Sequence, residues 1–212
     1  LISADGYKWL FQQLQSRIEF EDDCEITLEA NPGTLEHEPF AAYLEAGINR
    51  LSIGVQSFNT AHLQALGRIH SENDAMHAIQ MARAAGFERV NVDLMHGLPE
   101  QSLEQALYDL KTAVECGATH VSWYQLTIEP NTVFFRTQPI LPNDEVLEQI
   151  QLQGETYLRV QGFVNYEVSA WRKERPSAHN LNYWQFGDYL AIGAGAHGKV
   201  SLPDGVYRYQ KT

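Results

Sequence analysis

Residues 46–53 read AGINRLSI, and the same pattern returns at residues 85–92 as AGFERVNV and, more loosely, at residues 116–123 as CGATHVSW. In each copy a glycine stands where a helix would end, because glycine adopts the left-handed conformation of a helix C-terminus without a steric penalty. A short strand-like run follows each glycine. The repeat therefore predicts helix, turn and strand in succession, which is the building unit of a parallel α/β fold.

The segments before these glycines have the apolar period of helices. One helix face is predicted from four apolar residues spaced by four, three and four positions: Leu103, Leu107, Leu110 and Val114. Ser71 is predicted to cap a second helix, whose apolar residues are at positions 75, 79 and 82. Thr34 is predicted to cap a third helix, whose apolar residues are at positions 40, 43 and 44. Short runs at residues 25–28, 51–55, 90–95 and 121–126 predict four strands.

Strands that alternate with helices predict a parallel sheet covered by outer helices. The spacing of Gly47, Gly86 and Gly117 suits one βα unit of a barrel, so a partial (β/α) barrel is the first prediction and an open doubly wound sheet the alternative. After residue 130 the alternation of helices and strands ends, and the sequence predicts a loop with two prolines followed by a long helix from Asn143. Since no linker is rich in glycine or serine, we expect one domain over residues 1–212.

The charge balance limits the partners. Fifteen Lys and Arg against 27 Asp and Glu give a net charge of −12, which disfavours nucleic acid and anionic membrane surfaces as main partners. No apolar run approaches the roughly 20 residues that span a bilayer. With Cys24 and Cys116 alone, a disulfide framework is excluded, and a reducing, cytoplasmic location is expected. The chain opens without Met, and we expect it to be a piece of a longer protein.

The predicted strands all end in polar residues, which fall at one edge of a parallel sheet. These residues are Glu29, Gln56, Asp93 with His96, and Gln125 with Thr127 and Glu129. An acidic, amide-bearing edge suits a ligand with a cationic centre and hydroxyl or amine donors. Arg68, after a turn at Gly67, is a candidate for pairing with a ligand carboxylate. The alternative for each position is a solvated surface residue.

Two further groups of residues are candidates for binding haem or a metal. His179 and Tyr183 are four apart, on one face if that turn is helical, so His179 is a candidate haem-iron ligand; the alternative is a packed aromatic corner. A weaker hypothesis is a barrel hydrolase with Asp93, His96 and His197 around a metal. The sequence contains no nucleophile elbow, Walker loop or H-E-x-x-H motif.

Five motifs stand in a familiar order: LEANPGT at residues 28–34, GVQSF at 54–58, GR at 67–68, NVDLMHGLP at 91–99 and HNLNYW at 179–184. Together the set resembles the oxygen-independent coproporphyrinogen III oxidase-like branch of the radical S-adenosylmethionine (radical SAM) proteins. Within that branch it is most similar to the haem-chaperone group. The similarity covers essentially all 212 residues.

The resemblance implies a partial, TIM-like (β/α)6 barrel with S-adenosylmethionine across its mouth. By motif position the ligand contacts would be Glu29, Gln56, Arg68, Asp93 and Thr127. The family's C-x-x-x-C-x-x-C loop, which holds a [4Fe–4S] cluster, is not among these residues, nor is its C-terminal region. No cluster ligand is therefore expected in this chain, and the cluster is expected only in the full-length protein.

The resemblance also implies haem contact through the H-N-x-x-Y motif formed by His179, Asn180 and Tyr183, with His179 as the iron ligand. The implied function is a haem chaperone that holds haem and passes it to an unidentified acceptor protein, including by peripheral contact with membrane-bound haem proteins. The alternative is an enzyme, the coproporphyrinogen III oxidase, which decarboxylates propionates oxidatively. The few basic residues near strand ends disfavour binding of four propionates.

Overall fold

The computed structural model describes residues 2–34 and 39–212. The chain forms two compact units, Leu1–Arg175 and Pro176–Thr212. The expectation of one domain over residues 1–212 stays a prediction, and the two units are described separately.

The larger unit alternates helices and strands. Its helices are α1 (Ala4–Gln15), α2 (Phe40–Glu45), α3 (Thr60–Ala65), α4 (Glu72–Ala84), α5 (Leu103–Glu115), α6 (Val133–Thr137) and α7 (Asp144–Val160). Its strands are β1 (Thr27–Ala30), β2 (Arg50–Gln56), β3 (Arg89–His96), β4 (His120–Gln125), β5 (Val164–Asn165) and β6 (Ala170–Arg172).

The six strands form one mostly parallel sheet in the order β1-β2-β3-β4-β6-β5. The first four strands run parallel, whereas β6 runs antiparallel to β4 and β5 antiparallel to β6. Parallel strands with outer helices confirm the predicted partial-barrel α/β class. The antiparallel edge was not predicted, because strands of two and three residues show no hydrophobic period.

Side chains on the parallel strands alternate between an apolar and a polar face. On β2, Leu51, Ile53 and Val55 are fully buried. They share one hydrophobic core with helix residues such as Ile79 and Leu110. The helices therefore cover the apolar face, and the alternate strand positions are left to line the other side of the sheet.

Local signals set most element ends. Ser71 caps α4, as predicted, and Asp74 completes a reciprocal capping box that was not predicted. Asn143 caps α7. The predicted cap at Thr34 is wrong, because α2 begins only at Phe40, after Pro39, whose fixed φ suits a helix start. Residues 35–38 lie outside the described residues.

The first strand lies two residues later than predicted. The Asn49 side chain accepts from Ile26 N at 2.9 Å and donates to Cys24 O at 2.8 Å. These bonds occupy backbone groups that a strand over residues 25–28 would need for its ladder. The regular pairing of β1 therefore starts at Thr27.

The smaller unit contains helix α8 (Ala178–Trp184) and a hairpin of β7 (His197–Leu202) and β8 (Gly205–Gln210). Ahead of this hairpin, Tyr189 forms an isolated antiparallel bridge with Lys199. Within residues 2–34 and 39–212, no helix is both long and apolar enough to span a membrane.

Candidate functional site

The polar face of the sheet is organised around Asp93 on β3. Asn91 Nδ2 donates to Asp93 Oδ1 at 2.8 Å, and it lies 2.9 Å from Ser52 Oγ and 3.0 Å from Ser122 Oγ. Ser52 Oγ donates to Asp93 Oδ2 at 3.3 Å. Side chains from β2, β3 and β4 thus hold one half-buried carboxylate from several directions.

Glu29 on β1 lies on the same face as this carboxylate, because it is the register partner of Ser52. Burial is the main cause that raises the pKa of Asp93, and the charge of Glu29 raises it further. Hydrogen bonds from Ser122, Asn91 and Ser52 act in the opposite direction. The two carboxylates are therefore close enough to repel, and the site favours a cation.

Gln56 ends β2 at a bulge and has a φ of +72°, a left-handed conformation that is rare for a residue with a side chain. Its side chain is buried, and Oε1 accepts from Tyr124 Oη at 2.7 Å. A Cβ at Gly54 would lie 3.3 Å from Gln56 Nε2 and 3.2 Å from Asn31 Oδ1. Glycine at position 54 therefore lets two amide side chains approach the strand closely.

Arg68 lies at the same end of the sheet. It follows Gly67, whose φ is +68°, after helix α3, and its Nη1 donates to Asn31 Oδ1 at 3.4 Å. Burial and the charge of Asp93 raise the pKa of Tyr124, whereas the charge of Arg68 lowers it. The guanidinium is exposed, so it remains accessible to a ligand anion.

Thr127 is exposed in the segment after β4. It borders a groove of about 420 Å³ together with Gly67 and Glu129. Among the predicted residues the structure thus gathers Glu29, Gln56, Arg68 and Asp93 through contacts and charges. It places Thr127 across a groove from the turn that precedes Arg68.

His96 does not belong to this site, contrary to its predicted grouping with Asp93. The two residues are three apart on one strand, so their side chains point to opposite faces. The His96 ring is buried against Trp123 at 4.3 Å between centroids, and burial lowers its pKa to about 4. The predicted pairing of Asp93 and His96 on one metal is therefore wrong. In the described ranges no group of three His, Cys, Asp or Glu residues could hold a metal.

The sequence prediction missed the residues that support Asp93. Ser52, Asn91 and Ser122 lie inside strands rather than at their ends, so a search of strand ends passes over them. The available signal was a polar residue at every second position of otherwise apolar strands. Tyr124, the partner of Gln56, follows the same alternation.

The haem-motif residues lie on α8 in the smaller unit. Ser177 Oγ lies 3.0 Å from His179 Nδ1 and accepts from Asn180 N at 3.4 Å. The rings of His179 and Tyr183 meet edge to face with centroids 6.5 Å apart. The predicted helical turn with both rings on one face is confirmed, whereas haem contact stays a prediction.

Comparisons with known proteins fit these observations. The model of the radical SAM superfamily matches residues 2–113. The heme chaperone HemW of Haemophilus influenzae is 52% identical over 214 residues, which cover 100% of this chain and 56% of that protein. The heme chaperone HemW of Escherichia coli is 50% identical, again over 100% of this chain and 57% of that protein. The chain thus spans just over half the length of these relatives.

A solved structure supports the same fold. Coproporphyrinogen III oxidase (HemN) from Escherichia coli, described as a radical SAM enzyme, superposes with a TM-score of 0.76. The match covers 92% of this chain and 49% of that protein at 23% sequence identity. At that identity the likeness concerns the fold alone.

Proposed function

Since the chain belongs to the radical SAM superfamily, we propose that its unit Leu1–Arg175 binds S-adenosylmethionine at the carboxyl ends of the parallel strands. The ligand carries a sulfonium, an ammonium, a carboxylate and two ribose hydroxyls. Glu29 and Asp93 would accept from its ammonium or hydroxyl groups, and the Gln56 amide can both donate and accept. Arg68 would pair with its carboxylate, and the Thr127 hydroxyl would add a polar contact.

The supporting observation is the close packing at Gly54. A side chain there would press on the amides of Asn31 and Gln56, at 3.2 and 3.3 Å. Glycine lets these two amides lie against the strand beside Asp93, the half-buried register partner of Gly54, so their polar groups can face a ligand at the strand ends. S-adenosylmethionine bound beside a reduced cluster supplies the radical chemistry of this superfamily.

The residues of this chain do not fit the [4Fe–4S] cluster itself, because such a site needs three or four thiolates. Cys24 precedes β1 and Cys116 follows α5, and both are free and half-buried. We therefore place the cluster in the full-length protein, on ligands outside these 212 residues.

Asp93→Asn tests the S-adenosylmethionine site in the full-length protein with its cluster reconstituted. Loss of the charge should weaken binding about tenfold, since a charge-assisted hydrogen bond contributes roughly 1.5–3 kcal/mol. Isothermal titration with S-adenosylmethionine measures the change. Asp144→Asn, an exposed carboxylate at the start of α7, is the matched control and should bind like the wild type. Equal affinity of the Asp93 variant would remove Asp93 from the site.

We propose further that the full-length protein is a haem chaperone, which holds haem and passes it to an acceptor protein. The carrying observation is the identity of 52% and 50% to two heme chaperones over the whole of this chain. Around His179 the exposed aromatic side chains of Tyr183, Trp184 and Phe186 offer apolar surface that suits a porphyrin face. His179 would be the axial ligand of the iron, and Asn180 and Tyr183 would line the same contact.

Haem titration of His179→Ala in the full-length protein tests this assignment. The Soret absorbance of the variant should report at least about tenfold weaker binding, because an axial ligand is lost. His77→Ala, an exposed histidine on α4, is the control and should keep wild-type affinity. Unchanged haem affinity of the His179 variant would contradict the assignment.

The oxidase alternative draws support only from the shared fold with the HemN structure, which bears on architecture and not on turnover. Anaerobic conversion of coproporphyrinogen by the reconstituted full-length protein would favour the oxidase over the haem chaperone.

We place the protein in the cytoplasm, with an acidic surface that suits neither nucleic acid nor an anionic membrane. Membrane-bound haem proteins are among the proposed acceptors, by peripheral contact.

A further inference from the structure

A buried carboxylate on α5 reaches the loop that follows β2. Asp109 has no exposed surface. Its Oδ1 accepts from Phe58 N at 2.7 Å, and its Oδ2 accepts from Ser57 Oγ at 2.8 Å. Both bonds are charge-assisted when the carboxylate is ionised, and they join a helix to a loop far away in the sequence.

The loop held by these bonds is tightly turned. Ser57 N donates to Val55 O at 3.0 Å, which closes a three-residue turn around Gln56 at its φ of +72°. Turns of this hand are rare and strained. Bonds from outside the loop are therefore needed to hold the conformation, and Asp109 supplies two of them.

The same bonds extend to helix α3. Ser57 Oγ accepts from Asn59 N at 3.0 Å, and the Asn59 side chain caps α3 by accepting from Ala61 N and His62 N. Helix α3 ends at the turn that precedes Arg68. One buried carboxylate thus anchors the start of the helix that leads to the exposed guanidinium.

We propose that Asp109 is a positioning residue of the S-adenosylmethionine site, which holds the turn that presents Gln56 and the helix that leads to Arg68. It acts through Ser57 and Phe58. The inference rests on the proposed binding of S-adenosylmethionine. Burying a carboxylate without a cation is unfavourable, so a position selected for packing alone would carry an apolar residue.

Asp109→Ala in the reconstituted full-length protein tests the proposal by isothermal titration with S-adenosylmethionine. The dissociation constant should rise about tenfold or more, since the turn at Gln56 loses both bonds from Asp109. Asp109→Asn should restore affinity to within about threefold, because its carbonyl still accepts from Phe58 N and its amide can donate to Ser57 Oγ. Rescue by the amide separates positioning by hydrogen bonds from any need for the charge.

Thr112→Val is the matched control, a buried polar residue one turn further along α5. It should lower the denaturation midpoint without weakening S-adenosylmethionine binding. If Asp109→Ala does not fold, Ser57→Ala removes one of the two bonds and should still weaken binding severalfold. A folded variant, Asp109→Ala or Ser57→Ala, with wild-type affinity would overturn the proposal. If the wild type itself does not bind, the proposed function fails and the inference with it.

Discussion

Gly154→Ala is expected to destabilise the larger unit, although alanine is the better helix former. A Cβ at position 154 of α7 would lie 2.0, 2.5 and 2.7 Å from three ring carbons of Trp123. Carbon atoms pack best at about 3.5–4.0 Å, so the overlap exceeds one ångström. The Trp123 ring is buried and packed against His96, which leaves it little room to retreat.

Two opposing effects, helix propensity and overpacking, decide whether Gly154→Ala raises or lowers the free energy of unfolding. Replacing glycine by alanine inside a helix stabilises by about 1 kcal/mol. Overpacking a closely packed core costs about 1–3 kcal/mol, and contacts as short as those to Trp123 belong to the upper end. The expected net loss is about 2 kcal/mol in the free energy of unfolding. Urea denaturation of the full-length protein, followed by circular dichroism, measures it.

Gly6→Ala is the matched control, since position 6 is also a helical glycine. There a Cβ would meet Ile2 Cγ2 at 2.7 Å, but Ile2 is half exposed and can move aside. This variant should be neutral or up to about 1 kcal/mol more stable. In a Trp123→Leu background, Gly154→Ala should no longer destabilise, because the obstructing ring is gone. A stable Gly154→Ala protein would refute the packing of α7 on Trp123.

Two further predictions concern pH and backbone strain. Burial raises the pKa of Asp109 from 3.8 to about 7, with a smaller contribution from the charge of Glu72. Between these two pH values the folded state therefore binds a proton at Asp109 that the unfolded state has released. The free energy of unfolding of the wild type, relative to that of Asp109→Asn, should therefore be greatest at low pH and should fall by up to about 1.4 kcal/mol per pH unit as the pH rises towards 7. Denaturation of both proteins at each pH measures this difference. An increase in the difference with rising pH would contradict the prediction. Gln56→Gly should keep the free energy of unfolding within about 1 kcal/mol, because strain relief offsets the lost bond to Tyr124. Its S-adenosylmethionine affinity should nevertheless fall about tenfold by titration, and unchanged affinity would argue against a ligand contact at Gln56.

The parallel part of the fold could be predicted because its signals are local. Gly47, Gly86 and Gly117 all have positive φ, of +110°, +99° and +100°, and each follows a helix as the repeated pattern indicates. The start of β1, which was predicted two residues too early, depends on a long-range contact instead. Asn49 displaces the start of β1 through side-chain bonds to the backbone of another segment, which no local pattern reveals.

In the candidate site, too, the residues that local sequence patterns indicate were predicted, whereas those placed by contacts distant in sequence were not. Strand ends indicated Glu29, Gln56 and Asp93, because the carboxyl ends of parallel strands share one edge. His96 was grouped with Asp93 by closeness in sequence, yet an odd separation on a strand reverses the face. Asp109 could not be found from strand ends at all, since it approaches the loop from a helix.

Several features that oppose stability lie at the carboxyl end of the parallel strands. Gln56 has a left-handed backbone, and Asp93 and Asp109 are carboxylates whose pKa is raised by burial. The apolar face of the same strands follows the ordinary rule, with fully buried residues such as Leu51 and Val92. The amino end of β3 also buries a charge, but there Arg89 pairs with Glu25. A fold selected for packing alone would extend that rule to the polar face, because apolar side chains avoid the desolvation of buried polar groups. A strained backbone and buried carboxylates near strand ends are typical of a binding site, and here they lie close to Gly54, where the amides of Asn31 and Gln56 pack against the strand.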